Sequence, residues 1–191
     1  SFIISLAVMV ATYGGTLLIS GNQSITGLPP ALEWLGSTQI PLAGGLQMPL
    51  TMPVVIALYL LGSLVLGRTT YGRYVYAVGS NREAARLNGV PVGWVELSVY
   101  TLSACCAWLA GLIQMGINHT ADPKVAISDN LELNAIAMVV IGGTSLTGGR
   151  GGVGGTALGA VLLSMLFNGL PMLGGQFGDT SWRKLVQGGV I

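Results

Sequence analysis

Very little in this sequence could carry out covalent or acid–base chemistry. The single histidine, His119, stands near Asp122, Lys124 and Asp129 around the turn signal Pro123, and one imidazole beside scattered charges makes neither a metal-ligand set nor an oriented general base. Apart from Asp129 and Glu132 no carboxylates pair at helical spacing, so no two-acid site is expected. The lysines, Lys124 and Lys184, follow Pro123 and Arg183 rather than glycine, so the phosphate loop of an ATPase is missing. Gly149-x-Gly151-x-x-Gly154 has the form of a dinucleotide fingerprint, but no strand pattern precedes it and no suitably placed acid follows. Asn22-Gln23-Ser24 and Asn118-His119-Thr120 match the short acceptor pattern for glycosylation. Cys105 and Cys106 are adjacent within an apolar run and read as small core residues rather than a disulfide or metal pair. The expectation is no catalytic site, no metal and no cofactor.

What remains is recognition chemistry, concentrated between residues 69 and 92. Arg68, Arg73, Arg82 and Arg86, four of the eight basic residues, lie in or beside this stretch. Within it, 81–88 has a short helix's composition. Glu83, Ala84, Ala85, Arg86 and Leu87 are strong helix formers, and Gly89 followed by Pro91 gives a stop. Ser80 or Asn81 is the expected N-cap, with Glu83 in the first turn where negative charge is favoured. Two readings stand: a connecting loop whose arginines anchor it to lipid headgroups, or a rigid helix that another protein grips.

The elements around that segment read as membrane spans. Only 8% of residues are charged, against about 25% in an ordinary soluble domain, while mean hydropathy is +0.70 and glycines number 30. That composition fits a helical membrane protein with closely approaching spans. A net charge of +1 offers no basic face for nucleic acid. Spans are predicted at 2–20, 46–67 and 93–116, with Pro49 and Pro53 in the first turns of the second and Ser103, Ala107 and Gly111 forming a smooth strip on the third. Residues 21–45 read as a loop without Lys or Arg, which the positive-inside rule places outside, and the arginine-bearing 69–92 falls inside. Glu96 lies within reach of a loop arginine.

The stretch 132–149 is apolar only from Ala135 to Ile141, too short to cross a bilayer before Gly142-Gly143 interrupts it. It is either a short span with a glycine-rich exit loop or a broken helix lining a pathway. In the following span Gly151, Gly155 and Gly159 are expected on one face, beside Thr156, Ala160, Ser164 and Asn168. Asn168 needs a partner in an apolar setting. After Pro171 a glycine-rich loop leads to Trp182, Arg183 and Lys184, and counting spans puts that basic pair outside unless 132–149 is re-entrant.

Thr69, Tyr71 to Arg73, Ala77 to Gly79, Asn81, Glu83 to Ala85 and Gly89-Val90 resemble the cytoplasmic loop of the ribose-type and branched-chain-amino-acid-type permeases of ABC importers. Glu132-Leu133, Ala135 to Ala137, Ile141 to Leu146 and Gly148-Gly149 are similar to a second signature region of the same permeases. The resemblance implies an all-α polytopic transmembrane bundle in a bacterial plasma (inner) membrane, with about five to six spans or re-entrant segments here. Residues 1–191 would be part of a single permease domain truncated at both ends, with no signal peptide, and 69–92 its cytoplasmic coupling loop. The implied partners are a second permease subunit, cytoplasmic ATP-binding subunits, an external solute-binding protein and the lipid bilayer.

On that resemblance Asn81, Arg82, Glu83, Ala84, Ala85, Arg86, Leu87 and Gly89 contact the ATP-binding subunit, and Ala85→Arg would uncouple uptake from hydrolysis. Asn134, Thr144, Ser145 and Asn168 supply uncharged hydrogen-bonding groups for a translocation pathway. The expected solute is a monosaccharide such as ribose, with a branched-chain amino acid as the alternative. A secondary transporter without ATP would instead need buried ionisable groups in the spans, and their central parts hold none.

Overall fold

The computed structural model describes residues 2–41, 47–125 and 131–172, so Asp129 and the expectations for Trp182, Arg183 and Lys184 lie outside the described residues. The chain divides into two compact units, Ser1–Val55 with Ser103–Asp129 and Ile56–Leu102 with Asn130–Ile191. Two helices run through both: α3, Thr51–Arg68, and α6, Val92–Asn118.

In the first unit α1, Phe2–Ser20, is followed by a strand β1, Ile25–Thr26, then α2, Pro30–Ser37, and the strands β2, Gln39–Pro41, and β3, Gln47–Pro49. After α6 comes β4, Thr120–Ala121. β1 pairs antiparallel with β4, Ile25 opposite Ala121, and β2 with β3, Ile40 opposite Met48. The helical class holds, but the plain loop expected over 21–45 contains the helix α2 and the strands β1 and β2, whose partners β4 and β3 lie outside it. The span expected from residue 46 begins at Thr51, because Pro49 belongs to β3 and only Pro53 sits in the first helical turn. α2 lies backbone to backbone on α6: a Cβ on Gly116 would come 2.8 Å from the Leu32 carbonyl oxygen and 2.9 Å from the Gly36 Cα. The strip Ser103, Ala107 and Gly111 does not make that contact, since a Cβ on Gly111 would meet nothing within 4 Å. His119, at φ 53°, takes the left-handed turn that ends α6.

The second unit contains α4, Thr70–Ser80, α5, Arg82–Leu87, α7, Leu131–Ile141, and α8, Val153–Met172. α4 is a helix that the sequence does not announce. α7 and α8 form an antiparallel hairpin, in which Gly142 meets Gly155 and Met138 meets Gly159. A Cβ on Gly142 would lie 2.6 Å from the Gly155 carbonyl carbon and 2.7 Å from the Thr156 Cα, so no side chain fits there. Gly155 and Gly159 are thus the close-packed face, whereas Gly151 lies ahead of the helix with φ +152°. α7, at 11 residues, reaches about 16 Å against a hydrocarbon core of about 30 Å, as its apolar length foretold.

α3 and α6 are long and apolar enough to cross a membrane, and almost none of their most apolar windows is buried within the chain. The buried set among the described residues is small: Thr51 and Gly116 in the first unit, and Gly72, Ala85, Val92, Val95, Ala137, Gly159 and Leu163 in the second. Such helices need an apolar surrounding that this chain does not itself supply. Cys105 and Cys106 are free and exposed on α6, which corrects their reading as core residues: on a membrane-length helix an apolar run does not imply an inward face.

The hairpin yields a stability test. Gly159→Ala puts a methyl group 2.8 Å from the Gly142 amide nitrogen, an overpacking that typically costs about 1–3 kcal/mol. Gly154→Ala, with nothing within 4 Å of its added Cβ, serves as the control. Thermal unfolding of the detergent-solubilised protein should show a lowered midpoint for the first change and none for the second. Equal midpoints would refute the close hairpin.

Candidate functional site

The polar segment folds into a corner built on α4. Thr69 opens the helix: its hydroxyl accepts from the Gly72 amide at 3.2 Å and donates to the Val65 carbonyl at 2.6 Å, tying the start of α4 to the end of α3. Gly72 is buried there, where a Cβ would fall 2.7 Å from the Leu66 carbonyl carbon. Ser98 spends its single hydroxyl proton on the Val95 carbonyl, so Tyr71 donates to Ser98 across 2.8 Å and fixes α4 to α6.

α5 is capped at both ends by residues that the sequence marks. Asn81 Oδ1 accepts from the Ala84 amide at 2.9 Å, while Gly89, at φ +78°, closes the helix. The Gly89 amide donates to Arg86 and the Val90 amide to Ala85, the paired bonds of a Schellman ending. α7 stops in the same way: Gly143, at φ +82°, donates to Val140 while Thr144 donates to Val139. The glycine pair after α7 therefore divides its tasks, Gly142 for close packing and Gly143 for the left-handed turn.

Beyond α7 the loop 142–152 folds on itself and seats on the end of α4. The Ser145 amide donates to the Arg150 carbonyl at 2.9 Å, and the Ser145 and Thr147 hydroxyls lie 2.7 Å apart. Gly148 and Gly149 have φ of +88° and +73°, and a Cβ on either would collide with Gly79 or Ser80. The Tyr76 hydroxyl donates to the Gly151 carbonyl at 2.9 Å. The two stretches that the sequence marks as most informative are thus in direct contact. Beside them lies a cleft of about 510 Å³, lined by Tyr59, Tyr76, Tyr100, Glu96, Thr144, Ser145 and Arg150 among others. No strand precedes Gly149, so its fingerprint spacing serves a turn rather than a dinucleotide.

The candidate residues take distinct places. Arg82 forms an ion pair with Glu96 at 2.9 Å while its side chain stays 70% exposed, so a loop arginine does meet Glu96. Asn81, Glu83, Ala84 and Arg86 are exposed, and Leu87 is 80% exposed for a large apolar side chain. Ala85, at 5%, is buried in this chain. Thr144 and Ser145 line the cleft, whereas Asn134 and Asn168 do not; Asn168 Nδ2 donates to the Ser164 carbonyl of its own helix at 2.9 Å. Among the described residues no group of three or more His, Cys, Asp or Glu side chains could hold a metal ion. Tyr59, Tyr76 and Tyr100 escape sequence reading, although tyrosine hydroxyls in otherwise apolar runs are the one signal that points to them.

Two membrane-length helices with a capped polar helix between them, followed by a half-length helix ended by a glycine pair, form the architecture of a helical membrane protein. The whole chain, residues 1–191, matches the family of the branched-chain amino acid transport system / permease component, and it belongs to that family. It is 35% identical over its full length to the ribose import permease protein RbsC of Bacillus subtilis, covering 56% of that protein. Over 91% of its length it is 36% identical to RbsC of Escherichia coli, covering 53% of it. The xylose transport system permease protein XylH of Haemophilus influenzae is 37% identical over 75% of this chain and 37% of its own. The chain spans about half the length of the ribose permeases that it matches. No solved structure matches it.

The caps make α5 testable. A six-residue helix cannot sustain itself, and loss of an asparagine N-cap costs about 1 kcal/mol. Asn81→Ala should therefore speed hydrogen exchange at the amides of α5 roughly fivefold, leaving those of α8 unchanged. Unaltered exchange in α5 would show that the cap is dispensable.

Proposed function

We propose that this chain is part of the membrane permease subunit of an ATP-driven importer for a monosaccharide such as ribose, in a bacterial inner membrane. The observation that carries the proposal is 35–36% identity to ribose import permease proteins over 91–100% of the chain. The family description names branched-chain amino acids, so import of those is the second reading. Similarity to both ribose and xylose permeases favours the sugar.

In this reading α5 is the coupling helix. Its supports are its exposed outer residues, its position between two membrane-length helices and its fixed attachment through Arg82 to Glu96. Arg150, carried by the loop seated on α4, joins Arg68, Arg73, Arg82 and Arg86, and this clustering of arginines favours the cytoplasmic side. Closure of the ATP-binding subunits on a pair of permease subunits would press on α5 and switch access to the solute path. Glu83, Ala84, Arg86 and Leu87 are the contact residues proposed, and Asn81 and Gly89 hold the helix for them. Thr144 and Ser145 in the cleft, with Asn134 and Asn168 on α7 and α8, are proposed to offer the sugar hydroxyls neutral hydrogen-bonding partners.

Burial of Ala85 changes the choice of variant. Ala85→Arg would disturb the chain's own packing, whereas Leu87→Asp alters only an exposed apolar contact. The full-length protein, reconstituted in proteoliposomes with its ATP-binding and solute-binding partners, should take up labelled ribose in an ATP-dependent way. Leu87→Asp should lower that uptake by about tenfold, the effect of losing roughly 1.4 kcal/mol of contact energy, with membrane insertion intact. Uptake that needs no ATP would support a secondary transporter, and ATP-driven uptake of leucine in place of sugar would support the amino-acid reading.

A further inference from the structure

We infer that Tyr76, Gly79 and Gly149 are positioning residues that clamp α5 and the α7–α8 hairpin into one moving body, so that force on α5 reaches the hairpin directly. The inference rests on the coupling role proposed above for α5, and it adds a route that the covalent chain does not provide. Along the sequence α5 is joined only to α4 and α6, and the hairpin lies beyond the whole length of α6.

Three observations carry it. The end of α4 and the glycine loop meet largely main chain on main chain, with the Ser80 hydroxyl beside Gly149: a Cβ on Gly79 would sit 2.7 Å from the Gly149 amide nitrogen, and one on Gly149 would sit 2.8 Å from the Ser80 Cα. Contacts between main chains have no rotamers to yield, so they transmit displacement with little slack. Tyr76 adds a directional bond, its hydroxyl donating to Gly151 two residues before α8 begins. The loop itself is stiffened by its Ser145 to Arg150 closure and by its direct continuation from the Schellman ending of α7. Asn81 follows Ser80 at once as the N-cap of α5, leaving no linker between clamp and coupling helix.

The test uses the full-length protein with its partner subunits in proteoliposomes, every native cysteine, Cys105 and Cys106 among them, first replaced by serine. Spin labels at Asn88 and at Leu158 on α8, diluted with unlabelled copies, report the distance from α5 to the hairpin. The wild-type distance should stay narrow and the same with and without trapped nucleotide. Gly149→Ala, strained both by its φ of +73° and by the contact with Ser80, should broaden it. Tyr76→Phe keeps the ring and loses one hydrogen bond, so it serves where the glycine variant fails to fold. In Tyr76→Phe the solute moved per ATP hydrolysed should fall about threefold to fivefold. A distance that changes with nucleotide, or an unaltered solute-to-ATP ratio in both variants, overturns the clamp while leaving the permease reading in place. Absence of any ATP-dependent uptake in the wild type defeats that reading and this role with it.

Discussion

Main chain packed directly on main chain is the constraint on which the second unit depends. α7 meets α8 at Gly142, Gly155 and Gly159, α4 turns off α3 at Gly72, and the loop 142–152 seats on α4 at Gly79, Gly148 and Gly149. In an apolar surrounding there is no hydrophobic gain from bringing helices together, so close van der Waals contact has to hold them. That requirement accounts for the glycines at these contacts, while Gly14, Gly15, Gly93 and others have open space where a side chain would stand. Other glycines end helices: Gly89 and Gly143 supply the left-handed turns that let the final carbonyls of α5 and α7 find donors.

The polar features are arranged around these contacts rather than in place of them. The Arg82–Glu96 pair is partly exposed and worth little in stability, and it joins the first turn of α5 to α6. Tyr71 on Ser98 and Tyr76 on Gly151 fix two sides of α4 with hydroxyl bonds, each satisfying a polar group that would otherwise be costly among apolar neighbours. The cleft beside Thr144 and Ser145 is bounded by this scaffold, so its shape depends on how α4 and the glycine loop sit.

Much of this was legible in the sequence wherever a local rule governs it. Asn81, Glu83 and Gly89 announce α5 because capping and helix stops depend on a few adjacent residues, and the short apolar run ending at Gly142 announces a half-length helix. α4 was not legible: Tyr71, Gly72, Tyr74, Val75 and Gly79 are poor helix formers, and their helix is imposed by contacts with α3, α6 and the glycine loop. Nor could spacing show that Gly151 precedes α8 rather than joining its packed face, since three glycines four apart look the same on either side of a helix start. The inward facing of Ala85 and the outward facing of Cys105 and Cys106 depend on tertiary neighbours, which periodicity in a uniformly apolar run does not encode.

The bridge between β1 and β4 carries a consequence for biogenesis. Ile25–Thr26 finds its partner only at Thr120–Ala121, about 95 residues later, and at roughly 5–20 residues per second of synthesis the ribosome needs about 5–20 s to make them. Through that interval the edge of β1 stands open while α2, α3, α4, α5 and α6 are made one after another. The pairing can form only once α6 has been made, so two residues of strand close the longest strand pairing of the first unit late in synthesis.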